Sequence, residues 1–322
     1  MRAFITGASG FIGGHLAARL VGGGWQVRAF VHSRRLENAA EIEQVNGDIN
    51  DAGLLRTAMA GTDVLFHLAS ALGAARLKEN KFRAVNAEGT RAAIGAAVAA
   101  GVKQIVHFSS AGVLGHVADG KPAPEGHALD PRDAYDRTKL EGERIALEFA
   151  AHGADVVVIR PGWVYGPGDR RTLKLFRAIA RGRVPVVGRG RTLQTPVYID
   201  DLIEGTLLGS EKGRSGQIYN LAGPEVLTVK EIVAAIAEAL GTRAPRLALP
   251  ALPTKAAAWG LGKIFGIVGK EAPLNPSRLA FFVHPKPLDI ARAVAELGYA
   301  PVWDFRHGAA TTAAWYRAQG WL

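Results

Sequence analysis

Residues 6 to 13 read Thr6-Gly7-Ala8-Ser9-Gly10-Phe11-Ile12-Gly13. A strand-like segment at residues 1–6 precedes this turn, and an apolar-periodic helix follows it and stops at residues 22–24, which are all glycine. The G-x-x-G-x-x-G spacing lets the chain turn tightly and lets backbone N–H groups approach a pyrophosphate at the helix start, where the dipole favours anions. The spacing is one residue longer than the commoner fingerprint. The turn predicts a dinucleotide site, with a purely structural turn as the alternative.

Short β-branched runs alternate with longer helical patterns along the first half of the chain. The strand candidates are residues 3–6, 26–31, 64–68, 104–108 and 155–159. The helix candidates between them are residues 11–21, 54–60, 82–100 and 134–151. Near-continuous apolar strands that alternate with helices predict a parallel sheet covered on both faces. The expected fold class is therefore α/β, with a doubly wound parallel sheet of the Rossmann type and a smaller, discontinuous C-terminal substrate domain.

The length of 322 residues suggests two domains, or one large α/β body with an elaborated end. We expect residues 1–168, completed by segments near 195–223, to form the NADP-binding domain, and residues 169–194 and 224–322 to form the substrate-binding lid. The absence of cysteine excludes disulfides, thiolate zinc sites and cysteine nucleophiles. The N-terminal segment does not look like a targeting signal, and residues 255–268 are too interrupted to span a membrane. We therefore expect a cytoplasmic protein.

The end of the second predicted strand indicates which dinucleotide binds. An acidic side chain normally binds the ribose hydroxyls of NAD at this place. Here the chain reads Val31-His32-Ser33-Arg34-Arg35, which holds no acid. Two guanidinium groups suit a 2′-phosphate, so the sequence favours NADP (NADPH) and leaves NAD possible. The alternative is that Arg34 and Arg35 are ordinary solvated loop charges.

A phenol and an ammonium group lie four residues apart at Tyr135 and Lys139, so a helix would present both on one face. Tyrosine has an ordinary pKa of about 10 and is a poor base near neutral pH, but a nearby Lys⁺ and an oxidised nicotinamide both stabilise its phenolate. Ser110 ends a predicted strand, and ligands of open α/β sheets bind at strand carboxyl ends. The three residues predict proton exchange with a hydroxyl or carbonyl. A chance surface pair is the alternative.

Eight motifs, in register across nearly the whole chain, resemble those of the extended short-chain dehydrogenases/reductases of the NAD(P)-dependent epimerase/dehydratase superfamily. They are the turn at 6–13, Gly47-Asp48-Ile49, His67-Leu68-Ala69, residues 85–90, Ser109-Ser110, residues 135–139, residues 160–168 and residues 197–201. The resemblance implies that Ser110 orients the substrate and that Tyr135 is the catalytic acid/base. It also implies that Lys139 binds the nicotinamide ribose and lowers the tyrosine pKa.

The glycine turn, the basic loop and the resemblance together imply a set of cofactor contacts. The expected cofactor-binding residues are Thr6, Gly7, Ser9, Gly10, Phe11, Ile12, Gly13, His32, Ser33, Arg34, Arg35, Asp48, Ile49, Leu68, Ala69, Ser70, Asn86, Ser109, Tyr135, Lys139, Pro161, Gly162 and Val164. By the resemblance, Asp48 and Ile49 would meet the adenine. Ala69 and Asn86 would line the cofactor channel.

Two positions differ from the family members that act on nucleotide sugars. Trp163 stands where those proteins usually carry an asparagine that contacts the phosphate region of the substrate. Ala111-Gly112 stands where dehydratases carry Asp-Glu, so elimination chemistry lacks its carboxylates there. The tail, at residues 297–299 and 315–322, resembles the branch that contains 3β-hydroxysteroid dehydrogenases and dihydroflavonol reductases. That resemblance implies an apolar substrate bearing a secondary alcohol or ketone.

Apolar side chains are frequent in the expected lid. They are Ala258, Trp259, Leu261, Ile264, Phe265, Ile267, Val268, Leu274, Leu279, Phe281 and Phe282. They predict an apolar lining for the substrate or a face that touches a membrane surface. Burial of the same side chains against the sheet is the alternative.

The net charge of +10 favours an anionic ligand or surface. A basic stretch contains Arg170, Arg171, Lys174, Arg177, Arg181, Arg183, Arg189 and Arg191. It predicts binding of a carboxylated or phosphorylated substrate, or peripheral contact with anionic lipid at about 1 kcal/mol per basic residue; a solvated face is the alternative. No nucleic-acid motif accompanies the charge, so no nucleic-acid partner is expected. The nine histidines show no metal-ligand spacing, so no metal is predicted.

These observations predict an NADP(H)-dependent oxidoreductase. It would transfer a hydride between the nicotinamide and a secondary alcohol or ketone on a largely apolar substrate, which would be steroid-, flavonoid- or β-keto-acid-like. One alternative is a nucleotide-sugar epimerase with a transient keto intermediate, and another is a redox-sensing NAD(P)-binding protein. The resemblance also suggests a homodimer through residues 82–100 and 134–151.

Overall fold

A computed structural model describes residues 1–37, 39–72, 78–117, 120–182, 186–187, 190–244, 248–249, 254 and 276–322. The strands are β1 (Arg2–Thr6), β2 (Gln26–Val31), β3 (Ile42–Asn46), β4 (Val64–His67), β5 (Gln104–Phe108), β6 (Val156–Pro161), β7 (Trp163–Tyr165), β8 (Val186–Val187), β9 (Leu193–Gln194), β10 (Pro196–Tyr198), β11 (Ile218–Leu221), β12 (Leu227–Thr228) and β13 (Ala248–Leu249).

The α-helices are α1 (Phe11–Gly22), α2 (Ala52–Ala58), α3 (Glu79–Arg83), α4 (Gly89–Ala99), α5 (Ala134–Ala151), α6 (Arg170–Ala180), α7 (Ile199–Lys212), α8 (Val229–Leu240), α9 (Pro276–Val283) and α10 (Phe305–Ala318). Wider π-helical turns form at Ala84–Glu88 and Ala293–Leu297, and a 3₁₀ turn forms at Ala111–Leu114. No helix within the described residues is long and apolar enough to cross a membrane.

Seven strands form one parallel sheet in the order β3-β2-β1-β4-β5-β6-β11. Along the chain, β2 and β3 are added on one side of β1, and β4, β5, β6 and β11 are then added on its other side. Between β1 and β4 the order therefore reverses, and open α/β sheets bind their ligands at such a point, beyond the carboxyl ends of the strands. The predicted doubly wound parallel sheet is confirmed.

Both faces of the sheet are covered, because neighbouring residues of each strand point to opposite sides. On β1, Ala3 and Ile5 belong to the buried cluster that includes Leu16 of α1 and Leu202 of α7. Phe4, between them, belongs to the cluster that includes side chains of α2, α4 and α5. The central strands are therefore apolar at successive positions, and this is why their sequence reads as continuous hydrophobic runs.

Several predicted elements differ in the structure. The edge strand β3 was not among the predicted strands, because only two of its five residues, Ile42 and Val45, are apolar and the strand is half exposed. The helix predicted at 82–100 is divided, since α3 ends at Arg83 and the π-helical turn separates it from α4. Residues 217–221 return to the main sheet as β11, whereas β10 pairs with β7 in a separate two-stranded sheet.

Part of the predicted lid lies outside the described residues. The residues concerned are Ala258, Trp259, Leu261, Ile264, Phe265, Ile267, Val268 and Leu274, together with Arg183 and Arg189 of the basic stretch. Of the described lid residues, Leu279 is buried, and Phe281 and Phe282 are partly buried. The division into two domains stays a prediction.

Two neighbouring glycines of α1 give a stability prediction. A Cβ at Gly13 would lie 2.3 Å from the Gly7 carbonyl oxygen, whereas a Cβ at Gly14 would lie 3.6 Å from the Ala8 carbonyl oxygen, an ordinary contact. We expect Gly13→Ala to destabilise the fold by about 1–3 kcal/mol, because the turn must move. Gly14→Ala should stabilise it by about 0.5–1 kcal/mol, because alanine loses less backbone entropy in a helix. Urea unfolding measures both, and equal effects would contradict the packing argument.

Candidate active site

The glycine turn leaves the start of α1 open to an anion. Gly10 caps the helix without a side-chain hydrogen bond, and no acidic residue lies in the first turn. Gly7 has a φ of +75°, and a Cβ there would lie 2.7 Å from the backbone nitrogen of Ala69. The turn can therefore press against the end of β4 only where it lacks side chains. Backbone N–H groups at such a helix start suit a pyrophosphate, so the residues present fit a dinucleotide.

The loop after β2 places positive charge beside this turn. Residues 32–35 are exposed and include no acid. The Arg34 guanidinium donates a hydrogen bond to the carbonyl oxygen of Ser9. Asp48 is exposed, and the backbone N–H of Asn50 is the main cause that lowers the pKa of Asp48. Ile49 instead turns into the core.

A buried histidine connects β1, β4 and α4. Thr90 Oγ1 donates to the Asn86 carbonyl at 2.8 Å, so it accepts from His67 Nε2 at 3.0 Å. His67 Nδ1 is then the acceptor for Thr6 Oγ1 at 2.7 Å, and Thr6 Oγ1 in turn accepts from the backbone N–H of Ala69. Burial lowers the pKa of His67 to about 3, so the ring is neutral and this one tautomer satisfies every partner.

Asn86 joins the loop after β4 to helix α5. Its Oδ1 accepts from the Ala71 backbone N–H at 2.8 Å and from Ser70 Oγ at 3.0 Å, and its Nδ2 donates to Thr138 Oγ1 at 3.0 Å. The π-helical turn carries Asn86 into this buried position. Its amide therefore fixes the distance between Ser70 and the helix that bears Tyr135.

Ser110 and Tyr135 are brought together by two short-range features. Ser110 caps the 3₁₀ turn, and its Oγ accepts the Gly112 N–H at 3.0 Å. Tyr135 lies in the first turn of α5, which begins where Asp133 accepts the Asp136 N–H at 2.8 Å. The Tyr135 phenol lies close enough to Ser110 for their interaction to lower the pKa of the tyrosine.

The charges around Tyr135 act on it in opposite directions. Burial is the largest effect and raises the pKa of Tyr135. The nearby charge of Arg171 lowers this pKa, and that of Asp136 raises it. Hydrogen bonds with Ser110 and Ser70 also lower the pKa. In the protein without ligand, the tyrosine is therefore held as the neutral phenol, a proton donor.

Lys139 lies one helical turn after Tyr135 and is 3% exposed. Its Nζ donates a hydrogen bond to the Phe108 carbonyl at the end of β5. Burial lowers the pKa of Lys139 to about 8, although the carboxylate of Glu143 opposes the shift. This ammonium therefore lies close to the sheet edge and stays mainly protonated at neutral pH, although its pKa is well below that of an ordinary lysine.

A buried ion pair holds these elements in place. Arg160 donates from Nε to Glu143 Oε2 at 2.8 Å and from Nη2 to Oε1 at 2.5 Å, and both side chains are 2% exposed. Ser109 Oγ donates to the same carboxylate at 2.6 Å, and Arg160 Nη1 donates to the Glu125 carbonyl at 2.9 Å. The hydroxyl of Ser109, expected at the cofactor, is thus bonded to Glu143. This pair was not among the predicted site residues, although Glu143 follows Lys139 by four residues on α5.

Aromatic rings surround the position that follows β6. Gly162 accepts no side chain, because a Cβ there would lie 2.5 Å from the Thr195 carbonyl oxygen. The Trp163 ring centroid lies 4.7 Å from that of Phe281 on α9 and 5.9 Å from that of Tyr165. The expected cofactor residues Pro161 and Val164 lie beside them, on β6 and β7. The structure therefore provides an apolar surface where sugar-binding relatives are expected to carry an amide.

The arginines of the basic stretch make two kinds of interaction. The Arg170 guanidinium lies 4.7 Å above the Trp321 ring, and Arg177 Nε donates to the Trp321 carbonyl at 2.7 Å. These two arginines hold the C-terminal segment. Arg171, on another side of α6, acts on Tyr135 instead. Within the described part of the chain, no group of three His, Asp or Glu side chains could hold a metal ion.

Comparison with known proteins agrees with this geometry. The model of the NAD dependent epimerase/dehydratase family matches residues 3–222. The chain belongs to this family. The resemblance to the extended short-chain dehydrogenases/reductases is thereby confirmed, and the protein is an enzyme of this NAD(P)-dependent type.

Relatives of this family member act on different substrates. A 4-hydroxy-2-methyl-3-oxo-4-farnesyl-3,4-dihydroquinoline-1-oxide ketoreductase of Stigmatella aurantiaca is 32% identical over 93% of this chain and 92% of its own. A 3 beta-hydroxysteroid dehydrogenase/Delta 5-->4-isomerase of Mycobacterium tuberculosis is 31% identical over 94% of this chain and 86% of its own. MoeE5, solved with UDP-glucuronic acid and NAD, has a TM-score of 0.80 at 28% identity and covers 99% of this chain and 100% of its own.

The buried ion pair gives a second stability prediction. Arg160→Met leaves the Glu143 carboxylate buried without its partner, so we expect a loss of about 3–5 kcal/mol in the free energy of unfolding. Adding Glu143→Gln should recover part of this loss, because the lone charge disappears. Denaturant unfolding measures the three proteins. Arg83→Met, which breaks an exposed pair with Glu141, is the control and should change stability little; an equal loss there would contradict the role of burial.

Proposed function

We propose that this enzyme is an NADP(H)-dependent oxidoreductase that interconverts a secondary alcohol and a ketone on a largely apolar substrate. The observation that carries the proposal is the contact between the Tyr135 phenol and Ser110, with the buried ammonium of Lys139 one helical turn away. Ser110 and the Lys139 ammonium lie at the carboxyl end of β5, and the glycine turn follows β1 at the same edge of the sheet, with β4 between the two strands. The proposed catalytic residues are therefore Ser110, Tyr135 and Lys139.

The bound dinucleotide would supply or accept the hydride. In the reducing direction, Ser110 donates a hydrogen bond to the ketone oxygen and orients it. Tyr135 gives its phenolic proton to the same oxygen as that oxygen becomes an alcohol. Lys139 stabilises the resulting phenolate, since a cation near a phenol favours its ionised form. Much of the rate then comes from orientation and from one positioned proton donor.

An apolar substrate is supported by two observations. Trp163 contacts Phe281 of α9, and by the family resemblance it stands at the position where members that act on nucleotide sugars usually carry an asparagine. Two relatives are named for a farnesylated ring ketone and for a steroid. Steroid-, flavonoid- and β-keto-acid-like compounds fit this surface, and flat apolar rings gain most from stacking on aromatic side chains.

The proposed assembly follows the family resemblance. A cytoplasmic homodimer would form through α4 and α5. These two helices pack against each other on one side, and each also has exposed residues on another side. Arg91 and Glu148 link the two helices at 2.9 Å, so they form one surface. Residues 1–168 with 195–223 would bind the cofactor, and the remaining segments would cover the substrate. We also propose that the basic stretch contacts the surface of a membrane.

Replacing Tyr135 tests the reaction. We expect Tyr135→Phe to lower kcat by at least about 10²-fold, because the proton donor is gone, while the Kd of NADPH changes less than about threefold. Initial rates with a ketosteroid, a flavanonol, a β-keto acid and UDP-sugars measure this, and thermal shifts measure cofactor binding.

Tyr219→Phe is the matched control, because Tyr219 lies on the edge strand β11 and its hydroxyl donates to Glu296. The kcat of this variant should be retained. Normal turnover in Tyr135→Phe would remove the mechanism. UDP-sugar conversion without any net change in nicotinamide absorbance would identify an epimerase instead, and cofactor binding without turnover of any compound would favour a redox sensor.

Replacing Arg34 tests the choice of cofactor. We expect Arg34→Ala to raise the KM for NADPH by about tenfold, since a charge-assisted contact to the 2′-phosphate is lost, and to leave the KM for NADH nearly unchanged. Steady-state kinetics with both cofactors measures the ratio. Arg19→Ala, at an exposed arginine paired with Glu204, should leave the ratio unchanged. Equal effects on both cofactors would show that Arg34 does not read the 2′-phosphate.

A further inference from the structure

Helix α5 carries a second buried carboxylate, Asp136, in addition to that of Glu143. Asp136 follows Tyr135 directly and is 6% exposed. The ideal Cβ position of Gly112 lies 1.9 Å from Asp136 Oδ1 and 3.2 Å from Ser110 Oγ. The Asp136 carboxylate therefore fills the space that a side chain at position 112 would need, and it does so beside Ser110. Glycine at 112 is what allows this approach.

The partner of this carboxylate comes from a distant part of the chain. Lys286 Nζ lies 3.7 Å from Asp136 Oδ2, and the lysine side chain is 26% exposed. The segment that carries Lys286 is fixed by its backbone, because Lys286 N–H donates to the Leu193 carbonyl at 3.0 Å and the Pro285 carbonyl accepts from Val117 N–H at 3.0 Å. The backbone that carries Lys286 is therefore fixed, and its ammonium lies within ion-pair distance of the carboxylate.

The charges around Tyr135 and Asp136 come from helices α5 and α6 and from the segment that carries Lys286. Helix α5 contributes Asp136, and its capping residue Asp133 adds a further carboxylate. Lys139, one turn further along α5, donates to the Phe108 carbonyl instead. Helix α6 contributes Arg171. Burial raises the pKa of Asp136, the Lys286 ammonium lowers it, and Asp133 raises it. Asp136 in turn raises the pKa of Tyr135, because an anion beside a phenol opposes a second negative charge.

We propose that Lys286 is a positioning residue that pairs with Asp136 and offsets its negative charge beside Tyr135, so that the phenolate can form during turnover. The proposal rests on the acid/base role of Tyr135 in the proposed function. Lys286 acts through Asp136 and needs no contact with the substrate. The lid segment thus takes part in the proton step through one ion pair.

The experiment follows Tyr135 directly. The holoenzyme, saturated with oxidised cofactor and isotope-labelled at tyrosine Cζ, is titrated by NMR, and Tyr135→Phe identifies the signal among the six tyrosines. We expect Lys286→Met to raise the midpoint of Tyr135 by about half a pH unit or more, which means roughly threefold less phenolate at a fixed pH below the midpoint. The pH profile of the alcohol oxidation rate should move in the same direction.

A double-mutant cycle assigns the effect to the pair. Asp136→Asn should lower the midpoint, and Lys286→Met should have a smaller effect when Asp136→Asn is already present. Lys103→Met is the matched control, because Lys103 forms an exposed pair with Asp63 at 2.8 Å and should leave the midpoint unchanged. Thermal unfolding of each variant shows that it is folded at the titration temperature.

The outcomes separate this proposal from the proposed function. An unchanged midpoint in Lys286→Met, or a shift that is equally large with Asp136→Asn present, would overturn the pairing. The NMR titration needs no substrate, so it tests the pair even if no alcohol is oxidised. A shifted midpoint without turnover would retain the pair and reject the reaction.

Discussion

The geometry of the candidate active site depends on the buried ion pair between Arg160 and Glu143. A charge in the interior is costly unless it is paired and hydrogen-bonded. Here the guanidinium makes two bonds to the carboxylate and one to the Glu125 carbonyl, and Ser109 supplies a further donor. The pair therefore ties β5, β6 and α5 to one another at a single geometry. Since Tyr135, Lys139 and Glu143 follow each other at four-residue intervals on α5, fixing one end of this face fixes the rotation of the others.

The cofactor side is built on a different principle, the removal of side chains. Gly7 approaches the backbone at Ala69, and Gly13 approaches the carbonyl of Gly7. The neutral ring of His67, on β4, then joins β1 through Thr6 and α4 through Thr90. Close backbone packing and a neutral hydrogen-bond chain leave the helix start free of competing charge. The N–H groups of α1 are thereby kept for an anionic ligand.

The fold could be predicted because its signals are local. The glycine turn and the alternating strands need only neighbouring residues, so the parallel sheet and its helices follow from them. Edge strand β3 was missed because one half-exposed strand with few apolar residues lacks that signal. Tyr135 and Lys139 both lie on α5, as their i to i+4 spacing predicts; their catalytic roles stay a proposal. The orientation of Ser109 toward Glu143 depends on a contact across two elements, and no local pattern specifies it.

The same limit applies to an argument from missing residues. Ala111-Gly112 has no acid, and the sequence therefore indicated that elimination chemistry lacks its carboxylates at these positions. The structure places the Asp136 carboxylate against Gly112, and it places Lys286, which is distant in sequence, against Asp136. A small residue in one element makes room for a charged residue of another, so the absence of a side chain at a motif position does not mean the absence of its chemical group. What a motif position contributes is decided by the space around it, and only the packed structure gives that space.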